Sequence, residues 1–137
     1  MKIHNAHERV VAGTPEQVAA LVAEFDAIWP THVARAPRYF GDGVYAAHPM
    51  VWEEVARDHA ARAFRVIHPP ELEAEHWFEI RETPTGTLLR HVISGEARAE
   101  FADLWRNRFE ALHDRIIEAL LDRVATAAVT FPRRKGS

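Results

Sequence analysis

Between Phe101 and Ala128 the apolar residues Phe101, Trp105, Phe109, Leu112, Ile116, Leu120 and Val124 recur every three or four positions. That period lays them along one side of an α-helix as a stripe broad enough to face a core. The opposite side carries Asp103, Asn107, Glu110, Asp114, Glu118 and Asp122, a set suited to water. At about 1.5 Å per residue the helix is a rod of roughly 42 Å. Such a rod has to lie across most of a domain built from 137 residues, so the rest of the chain must supply the surface beneath it.

The preceding residues read as that surface. In Glu71–Arg81, Leu72, Ala74, His76, Phe78 and Ile80 take one face and Glu71, Glu73, Glu75, Glu79 and Arg81 the other, with Trp77 the apolar exception on the outer face. A period of two predicts a half-buried antiparallel strand. Thr83-Pro84-Thr85-Gly86 turns the chain, and Thr87, Leu89, His91 and Ile93 then share a face with Arg90 opposite. If Thr83 pairs with Gly86, Phe78 stands opposite His91 and His76 lies diagonal to it, about 7–8 Å away. Met50–Arg57 and Arg62–His68 predict two more strands around a turn at Asp58-His59-Ala60, with Phe64, Val66 and His68 on one face. Pro69-Pro70 stops the second of them, and Gly95–Glu100 is read as the connection into the long helix.

At the start of the chain Ile3–Ala12 reads as a strand that stops at Gly13. His4 and His7 are an odd number of residues apart, so a strand points them to opposite faces and they cannot clamp one metal ion. Thr14-Pro15-Glu16-Gln17 is a helix start: a threonine cap, a proline at the first helical position and a capping-box glutamine. Val18, Leu21, Val22, Phe25 and Ile28 give the apolar face, and the helix is expected to end near Trp29-Pro30. From Thr31 to Tyr45 the chain is irregular, and Trp29, Tyr39, Phe40 and Tyr45 either pin it to the core or form the lip of a pocket. Gly41-Asp42-Gly43 is a turn, too short for a phosphate loop.

Composition narrows the class. Hydrophobic residues at 47% and charged ones at 27% are globular proportions. We expect one domain over residues 1–130 and a basic tail over 131–137. A net charge of −3 offers nothing global to nucleic acid or an anionic membrane. Zero cysteines exclude disulfides, thiolate zinc sites and a cysteine nucleophile. The start lacks the apolar segment of a signal peptide, and the longest apolar run, Val18–Ala23, falls far short of the ~20 residues a membrane span needs. A soluble, cytoplasmic protein without a cofactor is the expectation.

The order of strand, capped helix, run of antiparallel strands and long C-terminal helix resembles the START and birch-pollen-allergen superfamily, also called SRPBCC. It looks closest to the small bacterial members described as polyketide cyclase-like. The resemblance rests on His4-Asn5-Ala6-His7-Glu8-Arg9-Val10, on Ile28-Trp29-Pro30 and on Leu89-Arg90-His91-Val92-Ile93. In the last helix it rests on Trp105, Leu112-His113-Asp114-Arg115-Ile116-Ile117-Glu118 and Leu121-Asp122-Arg123. It implies an α+β helix-grip fold, in which a curved antiparallel sheet wraps the C-terminal helix around a cavity. The family's usual seven strands exceed the five read here, and residues 31–50 are where others would lie.

A cavity also has a physical rationale. A dry void of ~300 Å³ would cost about 7 kcal/mol, against a total stability of ~5–15 kcal/mol, so an interior space should hold water or a ligand. Phe64, His76, Phe78, His91, Trp105, Phe109 and His113 are the residues expected to line it. Three readings of them stay open. The first is binding of an apolar or aromatic, lipid- or polyketide-like molecule with the histidines orienting its polar groups. The second is a cyclase or dehydratase using His76 or His91 as general acid/base near neutral pH. The third is a packed structural or interaction protein with no ligand. A metal site on the same histidines is the weakest reading, since no inward carboxylate completes it and no His-x₃-His pair supports it.

Overall fold

The computed structural model describes residues 1–24, 51–98 and 100–131. The expectations for Phe25, Ile28, the aromatics between Trp29 and Tyr45, further strands within 31–50 and the tail beyond residue 131 lie outside these residues. Alternating patterns become strands β1 (Lys2–Val11), β2 (Val51–Val55), β3 (Arg62–His68), β4 (Leu72–Thr83) and β5 (Gly86–Ala97). They form one curved antiparallel sheet in the order β1-β5-β4-β3-β2. The first helix, α1, spans Pro15–Ala23. The C-terminal helix runs as α2 (Glu100–Leu104), a π-helical turn (Trp105–Phe109) and α3 (Glu110–Ala128). This is the helix-grip architecture.

Thr14 caps α1 as its sequence requires: Gln17 N–H donates to Thr14 Oγ1 at 3.2 Å, and Thr14 N–H donates to Gln17 Oε1 at 2.9 Å. The helix is shorter than the reading that ended it near Trp29-Pro30. Glu24 leaves helical geometry at φ −91° and ψ 45°, and its N–H turns back to the Leu21 carbonyl. β5 is longer than expected: the pairing of Lys2 with Glu96 and of Leu72 with Ala97 holds residues 95–97 in the sheet, where a connection was read. His68 is exposed at the end of β3, while Phe64 and Val66 are buried on the shared face.

The hairpin of β4 and β5 has the register the turn dictates, with Thr83 opposite Gly86 and Phe78 opposite His91. Its inner face buries Leu72, Ala74, His76 and Phe78 from β4 and Thr87, Leu89, His91 and Ile93 from β5. All seven residues of the helical stripe are buried against it. Trp77 is buried on the outer face with Ala63 and Val92. The Arg57 guanidinium covers its ring at 3.6 Å from the centroid, and its indole N–H donates to Glu79 Oε2 at 2.7 Å.

The acidic side of the long helix is not left wholly to water. Asn5, His7 and Arg9, alternate residues of β1, face Asp114, Glu118 and Asp122 of α3. Asn5 Nδ2 donates to Asp114 Oδ1 at 2.8 Å, His7 bridges Asp114 and Glu118, and Arg9 donates to Glu118 Oε2 at 2.8 Å and to Asp122. The helical period alone could not show this, because it does not say which flank of the helix an edge strand will reach.

Gly95 marks the tightest approach inside the sheet. A Cβ there would stand 2.0 Å from the Glu73 carbonyl oxygen and 2.5 Å from Ala74 Cα, and backbone cannot step aside as a flexible side chain could. Gly95→Ala should therefore destabilise the protein by about 1–3 kcal/mol, the usual cost of overpacking, read as a lower urea midpoint. A midpoint equal to wild type would show that β4 and β5 do not approach this closely.

A buried row of histidines between the sheet and the C-terminal helix

Three of the four side chains that make the row are placed by the sheet. β4 delivers His76, β5 delivers His91, and β1 delivers His7 as the register partner of His91. The helix supplies His113. Ring centroids step from His76 to His91 at 5.6 Å, from His91 to His113 at 5.5 Å and from His113 to His7 at 6.3 Å. Aromatic rings flank the row: Phe64 stacks on His76 at 5.0 Å, Trp52 meets it edge-on at 5.0 Å, Phe78 meets His91 at 5.0 Å and Trp105 lies 5.8 Å from His113. Phe109 contacts Phe101 at 5.3 Å, in the neighbouring apolar cluster that also holds Trp105. Of the residues singled out in the sequence, six join one chain of ring contacts, and Phe109 adjoins it through that cluster.

The polar atoms of the row are unequally served. Thr87, buried on the same face, donates from Oγ1 to the Gly13 carbonyl at 2.8 Å. His76 Nε2, His91 Nδ1 and His113 Nδ1 are sealed from solvent and have no hydrogen-bond partner among the described residues, and Asn5 Oδ1 shares that condition. Each unpaired buried polar group costs about 1–3 kcal/mol, so three or four together are a large charge against a domain's stability.

Burial sets their protonation. It pushes His76 down to about 3, with the His113 ring adding to the effect. His113 is pushed down to about 4, burial outweighing the attraction of Asp114. His91 is driven well below 6.5 by burial and then by the neighbouring rings. All three are neutral imidazoles at neutral pH. The expectation that His76 or His91 titrates near neutrality is therefore corrected: neither rests as an imidazolium. His7 behaves oppositely. Partial burial disfavours its charged form, but the hydrogen bonds to Glu118 and Asp114 and their negative charges win, and its pKa is raised.

His7 and Asp114 are the residues that the sequence reading of this region missed. One ring nitrogen each of His7 and His113 and a carboxylate oxygen of Asp114 lie within 4.8 Å of one another. A carboxylate thus does reach the histidines, contrary to the expectation that none is placed to complete such a group. The signal was the alternation Asn5-x-His7-x-Arg9 against the i, i+4 series Asp114, Glu118, Asp122, but only the β1–β5 pairing brings the two together.

No protein-family model matches the chain, and no curated protein matches it. Solved structures do. The aromatase/cyclase Zhui from a Streptomyces species superposes with a TM-score of 0.61 at 16% identity, covering 100% of this chain and 99% of that one. XoxI from Bacillus cereus gives 0.59 at 13% identity, covering 96% and 99%. Norcoclaurine synthase from Thalictrum flavum gives 0.57 at 8%, covering 96% of both chains. At such identities the likeness establishes the fold, and it agrees with the resemblance to the START and birch-pollen-allergen superfamily.

The buried imidazoles make stability depend on pH. His76 takes up no second ring proton in the folded state until about pH 3, whereas the unfolded chain takes one up near 6.5. Its contribution is complete above pH 6.5, and acidification from there toward 3 removes it by up to about 1.4 kcal/mol per pH unit. His76→Leu should flatten the fall of the urea midpoint between pH 6.5 and 4, and the wild-type His76 ring resonances should stay in their neutral position over that range. A His76 titration near 6 by NMR would contradict its burial.

Proposed function

We propose that this protein binds an apolar or aromatic small molecule, lipid- or polyketide-like, between the inner face of the sheet and the C-terminal helix. The observation that carries the reading is the row of neutral, buried imidazoles with partnerless ring nitrogens set among Phe64, Phe78 and Trp105. Apolar walls with a few convergent polar atoms are the usual composition of a ligand site. A phenolic hydroxyl, enol or carbonyl held against His76, His91 and His113 would pair nitrogens that otherwise carry a desolvation cost. Neutral imidazoles suit this task, since each offers one donor and one acceptor. Phe64, His76, Phe78, His91, Trp105, Phe109 and His113 are the proposed contacts. The reading includes a cytoplasmic location; among the described residues no helix is long and apolar enough to cross a membrane.

Catalysis of the cyclase type is the second reading. The likeness to an aromatase/cyclase and to norcoclaurine synthase supports it at the level of fold. The low basicity of His76 weighs against it, since a general base works best with a pKa near the operating pH.

A thermal-shift screen of aromatic polyketides, fatty acids and sterols separates these readings. At a ligand concentration of 100 times Kd, binding adds about 2.7 kcal/mol to stability and raises the melting temperature. His91→Phe keeps an aromatic ring but removes both nitrogens, and should weaken a hydroxylated ligand by about 1–2 kcal/mol while sparing a purely apolar one. Turnover of a poly-β-ketone that His91→Phe abolishes would favour the enzyme. A filled interior that raises its melting temperature with no compound would leave a packed structural protein.

A further inference from the structure

We propose that His7, His113 and Asp114 form a binding site for a divalent transition-metal cation at the β1 end of the histidine row. The three donor atoms lie within 4.8 Å of one another. Zinc takes nitrogen and carboxylate ligands at ~2.0–2.1 Å, which places tetrahedral ligands about 3.3 Å apart. The set has to close by at most about 1.5 Å. Two histidines and one carboxylate leave a coordination position open, as in metal sites that act on a further molecule rather than only bracing the fold.

The surroundings are those of a metal site rather than of a plain ion pair. His7 Nδ1 lies 2.7 Å from Glu118 Oε1, the carboxylate–histidine arrangement that fixes a ligating ring's tautomer and turns its other nitrogen toward the metal. With Nδ1–H donated to Glu118, the Nε2 lone pair of a neutral ring points at Asp114 Oδ1, 2.9 Å away. Two acceptors at that distance need a positive species, either a proton on Nε2 or a cation shared by both atoms. Asn5 Nδ2 steadies the same Asp114 oxygen at 2.8 Å, and Arg9 steadies Glu118. The independent observation is His113. A proton on His7 resolves the contact with Asp114 without engaging His113, one of whose ring nitrogens lies in the same 4.8 Å group and whose Nδ1 is sealed and partnerless, whereas a cation recruits His113 as a third ligand. His4 points to the other, exposed face of β1 and takes no part. The assignment stands apart from the small-molecule reading and uses residues that reading does not need, His113 excepted.

The test is titration of the chelator-treated full chain with zinc by calorimetry and with cobalt(II) by visible spectroscopy. We expect one equivalent to bind, with proton release, a rise in melting temperature and cobalt bands of a nitrogen–oxygen site. Asp114→Asn and His113→Ala should each abolish binding, Glu118→Gln should weaken it about 10–100-fold through the His7 ring, and His4→Ala should leave it unchanged. Circular dichroism shows whether each variant folds; if His113→Ala does not, the near-isosteric Asp114→Asn still decides. No stoichiometric binding, or binding that survives Asp114→Asn, overturns the assignment and leaves His7 as a protonated partner of two carboxylates.

Discussion

The pairing of Thr83 with Gly86 governs the interior. In a strand every second side chain faces the same way, so a slip of one residue between β4 and β5 would turn the inward set of one of them outward, either His76 with Phe78 or Leu89 with His91. The inward row therefore exists because a four-residue turn fixes where two strands of twelve residues each begin to pair. β3 adds Phe64 opposite His76, and β1 adds His7 opposite His91. The row is built laterally, one register partner after another, and the helix closes it from above with Trp105 and His113.

A second constraint sets how the helix sits on that face. Alternate residues of β1 advance about 6.7 Å and residues four apart on a helix about 6.0 Å, so Asn5, His7 and Arg9 stay in step with Asp114, Glu118 and Asp122 over three rungs. The acidic partners are 44% to 71% exposed, and exposed ion pairs contribute only ~0–1 kcal/mol each. Their effect is on orientation. They anchor the polar flank of α3 to the edge strand, which leaves the apolar flank to pack on β4 and β5.

Most of this architecture was legible in the sequence, because periodicity reports which face is buried. The helical stripe, the alternation of Leu72 through Ile80, the capping box at Thr14 and the placement of Phe78 opposite His91 all rest on neighbours within one or two elements. What was not legible depends on distant pairings. Nothing local says that residues 2–11 lie beside residues 87–96, so the meeting of His7 with His91 and of Asp114 with His7 could not be read from spacing. The protonation of His76 and His91 is not legible in the sequence for the same reason. Their parity was clear, but the depth of burial that drives their pKa values down is made by the whole sheet and the helix together.

The π-helical turn at Trp105–Phe109 carries a different meaning. It stands at the seam between two apolar clusters, one around Phe101, Trp105 and Phe109 and the other around Leu112 through Ala128. Each residue of an α-helix rotates the next by about 100°, so a turn that admits one extra residue resets the phase of everything after it. Positions 101, 105 and 109 can then share a face at spacings of four while 112, 116 and 120 keep theirs. The long helix is in effect two α-helical segments whose phases are offset by that one turn. Deleting one residue from the joint would return the turn to α-helical winding and keep both contact faces aligned, whereas a deletion within α3 would rotate the residues beyond it by about 100°.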